Sequence, residues 1–179
     1  MRLGMLRREF AAPSLWREIR RKSIASPVAR PATTLHIRRV FNAPRERLFQ
    51  AWTDPERMTE WFCHAKPELT GTLVVMDVRP GGRYGFDVSG AEGKVFKVRG
   101  EYLEIKAPEK LVFTWYWETE PELGDTVVTL EFVDLGAKSE LILTHERFAN
   151  SDARDKHNNG WAYVLDSLQR AVEKSTGGN

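Results

Sequence analysis

Between residues 35 and 146, short stretches rich in β-branched and aromatic residues are separated by turns that contain Gly, Pro, Asn or Asp. Within many of these stretches apolar and polar side chains alternate, which is the period of a half-buried β-strand. The pattern predicts seven strands, over residues 35–41, 72–78, 83–88, 94–105, 111–117, 126–134 and 139–146. Because the last six are joined by short connections, we expect an antiparallel meander, with a bulge or bend at Gly100.

Two short helices are predicted between the first strand and the second. Pro44 suits the first position of one helix, and the apolar side of that helix consists of Leu48, Phe49 and Trp52. Asp54 can cap the second helix, with Pro55 in its first turn. The buried side of this second helix is predicted to consist of Met58, Trp61 and Phe62.

After residue 150 the hydrophobic period lengthens from two residues to between three and four. The cluster Asn150-Ser151-Asp152 is typical of a helix N-terminus. The apolar positions that follow share one helical stripe, formed by Trp161, Val164, Leu165, Leu168 and Val172. We therefore expect a long C-terminal helix that ends before Gly177.

Taken in order, these elements indicate an α+β domain. One helix cannot cover a flat seven-stranded sheet, so we expect the sheet to curve around the C-terminal helix. This arrangement predicts an apolar cavity between the sheet and that helix, closed at one end by the two short helices.

Charge divides the chain into a tail and a domain. Residues 1–32 contain eight basic and two acidic residues, whereas the remainder contains 19 basic and 23 acidic residues. We interpret 1–32 as a basic extension, 33–175 as the folded domain and 176–179 as a tail. The extension is Arg-rich and acid-poor like a transit peptide, although its prolines at 13, 27 and 31 favour a poorly ordered segment. The acidic balance of the domain argues against nucleic-acid binding.

The single cysteine, Cys63, excludes a disulfide within the chain and leaves no CxxC metal site. No stretch approaches the roughly 20 apolar residues of a membrane span. These features predict a cytoplasmic protein with neither a metal nor a cofactor, and they leave the oligomeric state open. Sequence motifs for a catalytic serine elbow or a phosphate-binding loop are missing.

Several short motifs occur in an order that resembles a known family. They are Ala43-Pro44, Phe49 to Glu56, Trp61-Phe62, Asp77 to Gly82, Gly100 to Ile105, Leu111 to Trp115, Leu141 to His145, and Asn159-Gly160-Trp161. The chain resembles bacterial members of the family named after the activator of the heat-shock-protein-90 ATPase, in the START-related or SRPBCC superfamily. The resemblance implies the helix-grip fold and the binding of hydrophobic ligands or partner proteins. The eukaryotic namesakes carry a separate N-terminal chaperone-binding domain, for which residues 1–32 are too short.

Aromatic and apolar residues on the inner face of the predicted sheet and on the helix stripe are the candidate ligand-binding residues. Alternation places Phe113, Trp115 and Trp117 on one face of their strand, and Leu143 and His145 on one face of theirs, and both faces should point at the C-terminal helix. Each of them could equally be ordinary core packing. The full candidate set is Trp61, Tyr84, Phe113, Trp115, Trp117, Leu143, His145, Trp161 and Leu165.

His145 is the polar candidate within this set. On an apolar strand face its imidazole needs a partner, which could be a neighbouring side chain, a ligand carbonyl or a reacting group. The favoured function is non-catalytic binding of a hydrophobic small molecule. Two alternatives are a chaperone-related or regulatory protein-interaction module, and a cyclase-like or dehydratase-like enzyme that would pair His145 with Tyr102 or Glu101.

Overall fold

The computed structural model describes residues 33–65, 69–90 and 93–174, and these form an α+β unit. The predictions for residues 1–32 and 176–179 concern parts of the chain outside these ranges. In chain order, the elements are β1 (Leu35–Phe41), α1 (Arg45–Thr53), α2 (Pro55–Phe62), β2 (Thr70–Met76), β3 (Arg83–Ser89), β4 (Val95–Lys106), β5 (Lys110–Trp117), a short 3-10 helix (Pro121–Leu123), β6 (Thr126–Leu135), β7 (Lys138–Glu146) and α3 (Ser151–Lys174).

The seven strands form one curved antiparallel sheet in the order β1-β7-β6-β5-β4-β3-β2. Strands β2 to β7 are therefore a meander, as predicted, and β1 pairs with β7 at one edge. Leu35 lies opposite His145 and Phe41 lies opposite Ser139 in that pairing. The two short helices between β1 and β2 carry the chain from one edge of the sheet to the other.

The irregularity in β4 lies further along the strand than predicted. The register with β5 shifts between Tyr102 and Glu104, so the bulge is not at Gly100. Gly100 has a different role: a Cβ atom there would collide with the carbonyl oxygen of Thr114 and with the ring of Tyr84. The missing side chain lets the Tyr84 ring lie across the strand, where its hydroxyl donates to the Thr114 carbonyl at 2.7 Å.

The starts of α1 and α2 follow the sequence signals closely. Asp54 caps α2, since its carboxylate accepts hydrogen bonds from the backbone N–H groups of Glu56 and Arg57 at 2.9 and 3.3 Å. Pro55 occupies the first turn, as predicted. Pro44 precedes the first helical residue of α1 instead of occupying the first position, and its extended backbone turns the chain out of β1.

The core lies between the concave face of the sheet and the apolar side of α3. The alternation predicted for β5 and β7 is confirmed along most of each strand, and in β6 burial alternates from Val128 to Phe132. The inward-facing residues Phe113, Leu130 and Leu143 are each at most 4% exposed. Apart from Ser167, the buried residues of α3 recur every three or four positions: Ala153, His157, Trp161, Leu165, Leu168 and Val172. In the part of the chain that the structure describes, no helix is long and apolar enough to cross a membrane.

Candidate functional site

An apolar pocket of about 210 Å³ lies at the end of the sheet–helix groove that is remote from α1 and α2. Its walls come from the end of β5, from the 3-10 helix that follows and from the first half of α3. The lining residues are Trp115, Trp117, Glu120, Leu123, Lys156, His157, Gly160, Trp161 and Val164.

The sequence builds this pocket from two periodicities. Trp115 and Trp117 are two residues apart on β5, so both rings leave the same face of the sheet and meet edge to face at 5.8 Å between centroids. On α3, His157, Trp161 and Val164 follow the helical spacing and face those rings. The Trp115 and Trp161 rings lie 5.3 Å apart and form the inner wall.

His145 lies behind that wall and has partners on both ring nitrogens. The indole N–H of Trp161 donates to Nδ1 of His145 at 3.0 Å, so the ring proton must reside on Nε2. Nε2 then donates to the Thr126 hydroxyl at 2.7 Å, and this hydroxyl donates to the Trp115 carbonyl at 2.8 Å. Burial, and secondly the neighbouring His157, lower the pKa of His145 well below its usual range. The imidazole is neutral and fully bonded, which matches the structural alternative considered for it.

His157 forms a second indole–imidazole pair, at the pocket wall. The Trp117 indole N–H donates to Nε2 of His157 at 2.9 Å, and Nδ1 donates to the Ala153 carbonyl at 2.7 Å. Burial lowers the pKa of His157, although its bond to Ala153 opposes this change. Sequence reasoning missed His157, whose signal was its position four residues before Trp161 on the same helix face.

Two indole N–H groups remain without an acceptor among the described residues. They belong to Trp115, which is 5% exposed, and Trp52, which is 2% exposed. Both residues line a small internal cavity of about 10 Å³, together with Met58, Tyr84, Tyr102 and Phe113. Trp115 therefore separates this internal cavity from the outer pocket.

The predicted site residues are divided among several places. Trp115, Trp117 and Trp161 line the outer pocket, and Tyr84, Phe113 and Trp115 line the small internal cavity. Leu143 and Leu165 belong to the hydrophobic core. Trp61 is also buried, and its indole N–H donates to the Ala51 carbonyl at 2.8 Å.

Trp61 also borders a larger hollow of about 370 Å³ between α1, α2 and the end of α3. Its lining is mostly charged, and part of that charge is internally paired: Asp54 and Arg57 lie 3.8 Å apart. An apolar ligand would have to displace water from these ionised groups, which is costly. The aromatic pocket is therefore the better candidate despite its smaller volume.

The described residues contain no group of three or more His, Cys, Asp or Glu side chains placed to hold a metal ion. Cys63 is buried at the end of α2, and burial raises the pKa of its thiol to about 11. The thiol is protonated at neutral pH, so it is a poor nucleophile there.

Comparison with known proteins identifies the fold and the family of this chain. The structure is similar to that of a protein from Chromobacterium violaceum, with a TM-score of 0.72 and 25% identity over 79% of this chain and 97% of that one. A protein from Rhodobacter sphaeroides gives a TM-score of 0.68 and 25% identity over 83% and 96% of the two chains. CalU16 from Micromonospora echinospora gives 0.60 and 24% identity over 83% of each chain.

A search among curated protein sequences gives no match. The model of one protein family, described as activator of Hsp90 ATPase homolog 1-like protein, matches residues 42–173. That range runs from the end of β1 to the end of α3 and includes the whole pocket wall described above. The chain therefore belongs to the activator of Hsp90 ATPase homolog 1-like family.

Proposed function

We propose that this protein binds a small apolar molecule in the pocket formed by Trp115, Trp117 and Trp161, without catalysing a reaction on it. The observation that carries the proposal is the low polarity of the pocket wall. Two of the three indole N–H groups are used within the protein, so what the wall offers is largely ring surface and the apolar side chains of Leu123 and Val164. Such a lining, with few polar groups, is typical of small-molecule sites.

The state of the histidines argues against acid–base chemistry in this pocket. A general base needs a ring nitrogen that is free to reach the substrate proton. Each nitrogen of His145 and of His157 already has a partner in the protein. Tyr102, the partner considered for His145 in an enzyme, packs instead against Tyr84 and Phe113.

Gly160 allows the proposal to be tested by closing the pocket. A Cβ atom added to Gly160 would meet no heavy atom within 4 Å, and the residue is helical. Gly160→Leu should therefore fill the pocket mouth without disrupting the fold. Because leucine has a higher helix propensity than glycine, the substitution should also stabilise the helix. Ala162→Leu is the matched control, since Ala162 is exposed two residues further along α3 and does not line the pocket.

The measurement is fluorescence titration with N-phenyl-naphthylamine, an uncharged fluorophore that brightens in apolar surroundings. We expect the unmodified protein and Ala162→Leu to bind it alike, and Gly160→Leu to bind at least about tenfold more weakly because the ligand's space is filled. No binding to the unmodified protein, or unchanged binding to Gly160→Leu, would refute the pocket assignment.

A further inference from the structure

The hydrogen bond between His157 and Trp117 makes one wall of the pocket depend on the charge of an imidazole. Nδ1 of His157 carries the ring proton, because it donates to the Ala153 carbonyl at 2.7 Å. Nε2 therefore holds a lone pair, and this lone pair accepts the Trp117 indole N–H at 2.9 Å. Since only Nε2 is able to take up a further proton, the imidazolium and the indole bond exclude one another.

Both residues of this pair line the pocket. Once Nε2 carries a proton, two N–H groups point at each other, so the two rings must separate. Trp117 is only half-buried at the end of β5, whereas His157 is held to the backbone of α3, so the indole is the group that moves. Uptake of a proton thus takes one aromatic ring out of the wall.

An apolar ligand opposes the same proton in a second way. The His157 ring is 8% exposed, and a ligand in the pocket would cover what remains of its contact with water. Loss of that water disfavours the charged form of the ring. Because linked binding equilibria are reciprocal, a ligand that binds the neutral form better is bound less tightly by the protonated protein.

Three charged or titratable side chains in the described part of the chain act on His157. Glu120, in the connection after β5, favours its imidazolium, and the adjacent Lys156 on α3 opposes it. From β7, the ring of His145 lies perpendicular to that of His157, at 5.0 Å between centroids. Two imidazoliums at this distance would repel each other, so we expect one proton to enter the pair. His157 is the ring that takes it, because His145 is completely buried.

Resting on the function proposed above, we propose that His157 is a proton-operated release switch for the pocket. The neutral ring holds Trp117 in the wall and retains the ligand, whereas the imidazolium frees Trp117 and releases the ligand into an acidic medium. Burial lowers the pKa of His157, so the switch operates below the ordinary histidine value of 6.5.

The first test is the affinity of the full-length protein for N-phenyl-naphthylamine, which stays uncharged between about pH 8 and pH 4.5. We expect the dissociation constant to be level at high pH and to rise below the switch by up to about tenfold per pH unit, the slope of a single proton. His157→Gln should remove this rise, because its amide oxygen accepts from Trp117 but its side chain does not ionise. A level dissociation constant in the unmodified protein, or a rise that survives His157→Gln, would overturn the proposal.

The neighbouring charges provide a test that a merely structural role of His157 would not pass. Glu120→Gln removes a group that favours the imidazolium, so the midpoint of release should move to lower pH. Lys156→Gln removes an opposing charge and should move the midpoint to higher pH, and added salt should reduce both displacements. Lys174→Gln, at the far end of α3, is the control and should leave the midpoint in place. Displacements in the same direction, or none, would overturn the proposal.

Release must also be separated from unfolding, and the indole proton resonances of the ligand-free protein do this by NMR over the same pH range. The resonance of Trp117 should move upfield as its hydrogen bond is lost, while that of Trp61, bonded to the Ala51 carbonyl, should stay in place. Movement of Trp61 in step with Trp117 would assign the release to unfolding and overturn the proposal. Failure of the fluorophore to bind at about pH 8 would instead refute the proposed function, so the two failures are distinguishable.

Discussion

The two ends of the groove between the sheet and α3 are built from the same kinds of residue but differ in how completely they are filled. At the end next to α1 and α2, the ring of Trp52 packs against Trp61 at 4.7 Å and Phe113 at 6.4 Å, and what remains is a cavity of about 10 Å³. At the other end, neither α1 nor α2 covers Trp117, and a pocket of about 210 Å³ remains. The difference shows that the short helices, and not the aromatic content, decide which part of the groove is solid.

The hydrogen bonding of the indoles differs as well. At the pocket end, Trp117 and Trp161 donate to His157 and His145, which holds both imidazoles neutral. At the closed end, Trp61 donates to a backbone carbonyl and Trp52 has no acceptor among the described residues. We therefore expect the closed end to determine stability and the pocket end to determine binding and the response to pH.

The largest expected effect comes from Trp52→Ala. Removing this 2% exposed ring from the closed end should lower the free energy of unfolding by about 3 to 5 kcal/mol, because a cavity is left among packed rings. Trp117→Ala, at the half-buried pocket end, should cost clearly less. Urea unfolding of both variants measures the contrast, and equal costs would contradict the division between the ends.

His145→Leu tests the wall behind the pocket. The substitution keeps an apolar side chain but leaves the Trp161 indole and the Thr126 hydroxyl without their present partner. The expected loss in unfolding free energy is about 1 to 3 kcal/mol, the cost of one buried polar group left unpaired, because the Trp161 indole N–H loses its acceptor whereas the Thr126 hydroxyl keeps its bond to the Trp115 carbonyl. His36→Leu is the control at an exposed histidine of β1 and should change stability little. A neutral result for His145→Leu would show that the network is dispensable.

The same network predicts how stability depends on pH. His145 and His157 have folded-state pKa values below the ordinary 6.5, so the unfolded chain takes up their protons first. Stability should be fully present above about pH 6.5 and should fall below it by up to about 1.4 kcal/mol per pH unit for each histidine. The carboxyl pKa values of Glu109 and Glu140 are also lowered, so these groups change the stability only below their ordinary pKa of 4.5. They do not contribute to the change expected near pH 6.5.

Urea unfolding at several pH values between about 5 and 8 measures this slope. His157→Gln should flatten it, because the His157 ring is buried against Trp117 and its pKa is lowered by that burial. Stability that is flat across this range would contradict the assignment of two buried neutral imidazoles.

The smallest expected effect comes from removing one helix-capping side chain at each end of the groove. Asp54→Ala removes the cap of α2, and Asn150→Ala removes the side chain that accepts from the Ala153 N–H in the first turn of α3 at 2.9 Å. Each should cost about 1 kcal/mol in thermal or urea unfolding. Only Asn150→Ala should also weaken binding of N-phenyl-naphthylamine, because the first turn of α3 supplies the carbonyl that orients His157. Weaker binding by Asp54→Ala would contradict this separation.

Much of the fold could be predicted from local patterns, since alternation and helix caps act within a few residues. The strand β1 and the cap at Asp54 were predicted correctly. The bulge after Tyr102 could not be located, because it depends on which residues of β5 lie opposite. Gly100 signals a close approach of backbone as readily as a bulge, and only the neighbouring Tyr84 ring decides between them.

The candidate site was predictable only in its aromatic part. Alternation on β5 and the stripe on α3 place Trp115, Trp117 and Trp161 on facing surfaces. Lys156 is a surface lysine and carries no such signal. His157 lies on the α3 stripe, four residues before Trp161, but an apolar pattern does not select a polar residue. Which indole N–H finds an acceptor depends on rotamers and packing between elements far apart in sequence, which no local pattern specifies.

The most direct test of the central claim is to follow the indole N–H resonances of the full-length protein by NMR during titration with N-phenyl-naphthylamine. Assignment uses Trp→Phe variants, including Trp117→Phe at the pocket and Trp61→Phe at the closed end. The pocket account predicts that the resonances of Trp115, Trp117 and Trp161 shift together while that of Trp61 stays in place. Binding that shifts Trp61 and leaves Trp117 unmoved would place the ligand at the other end of the groove and contradict it.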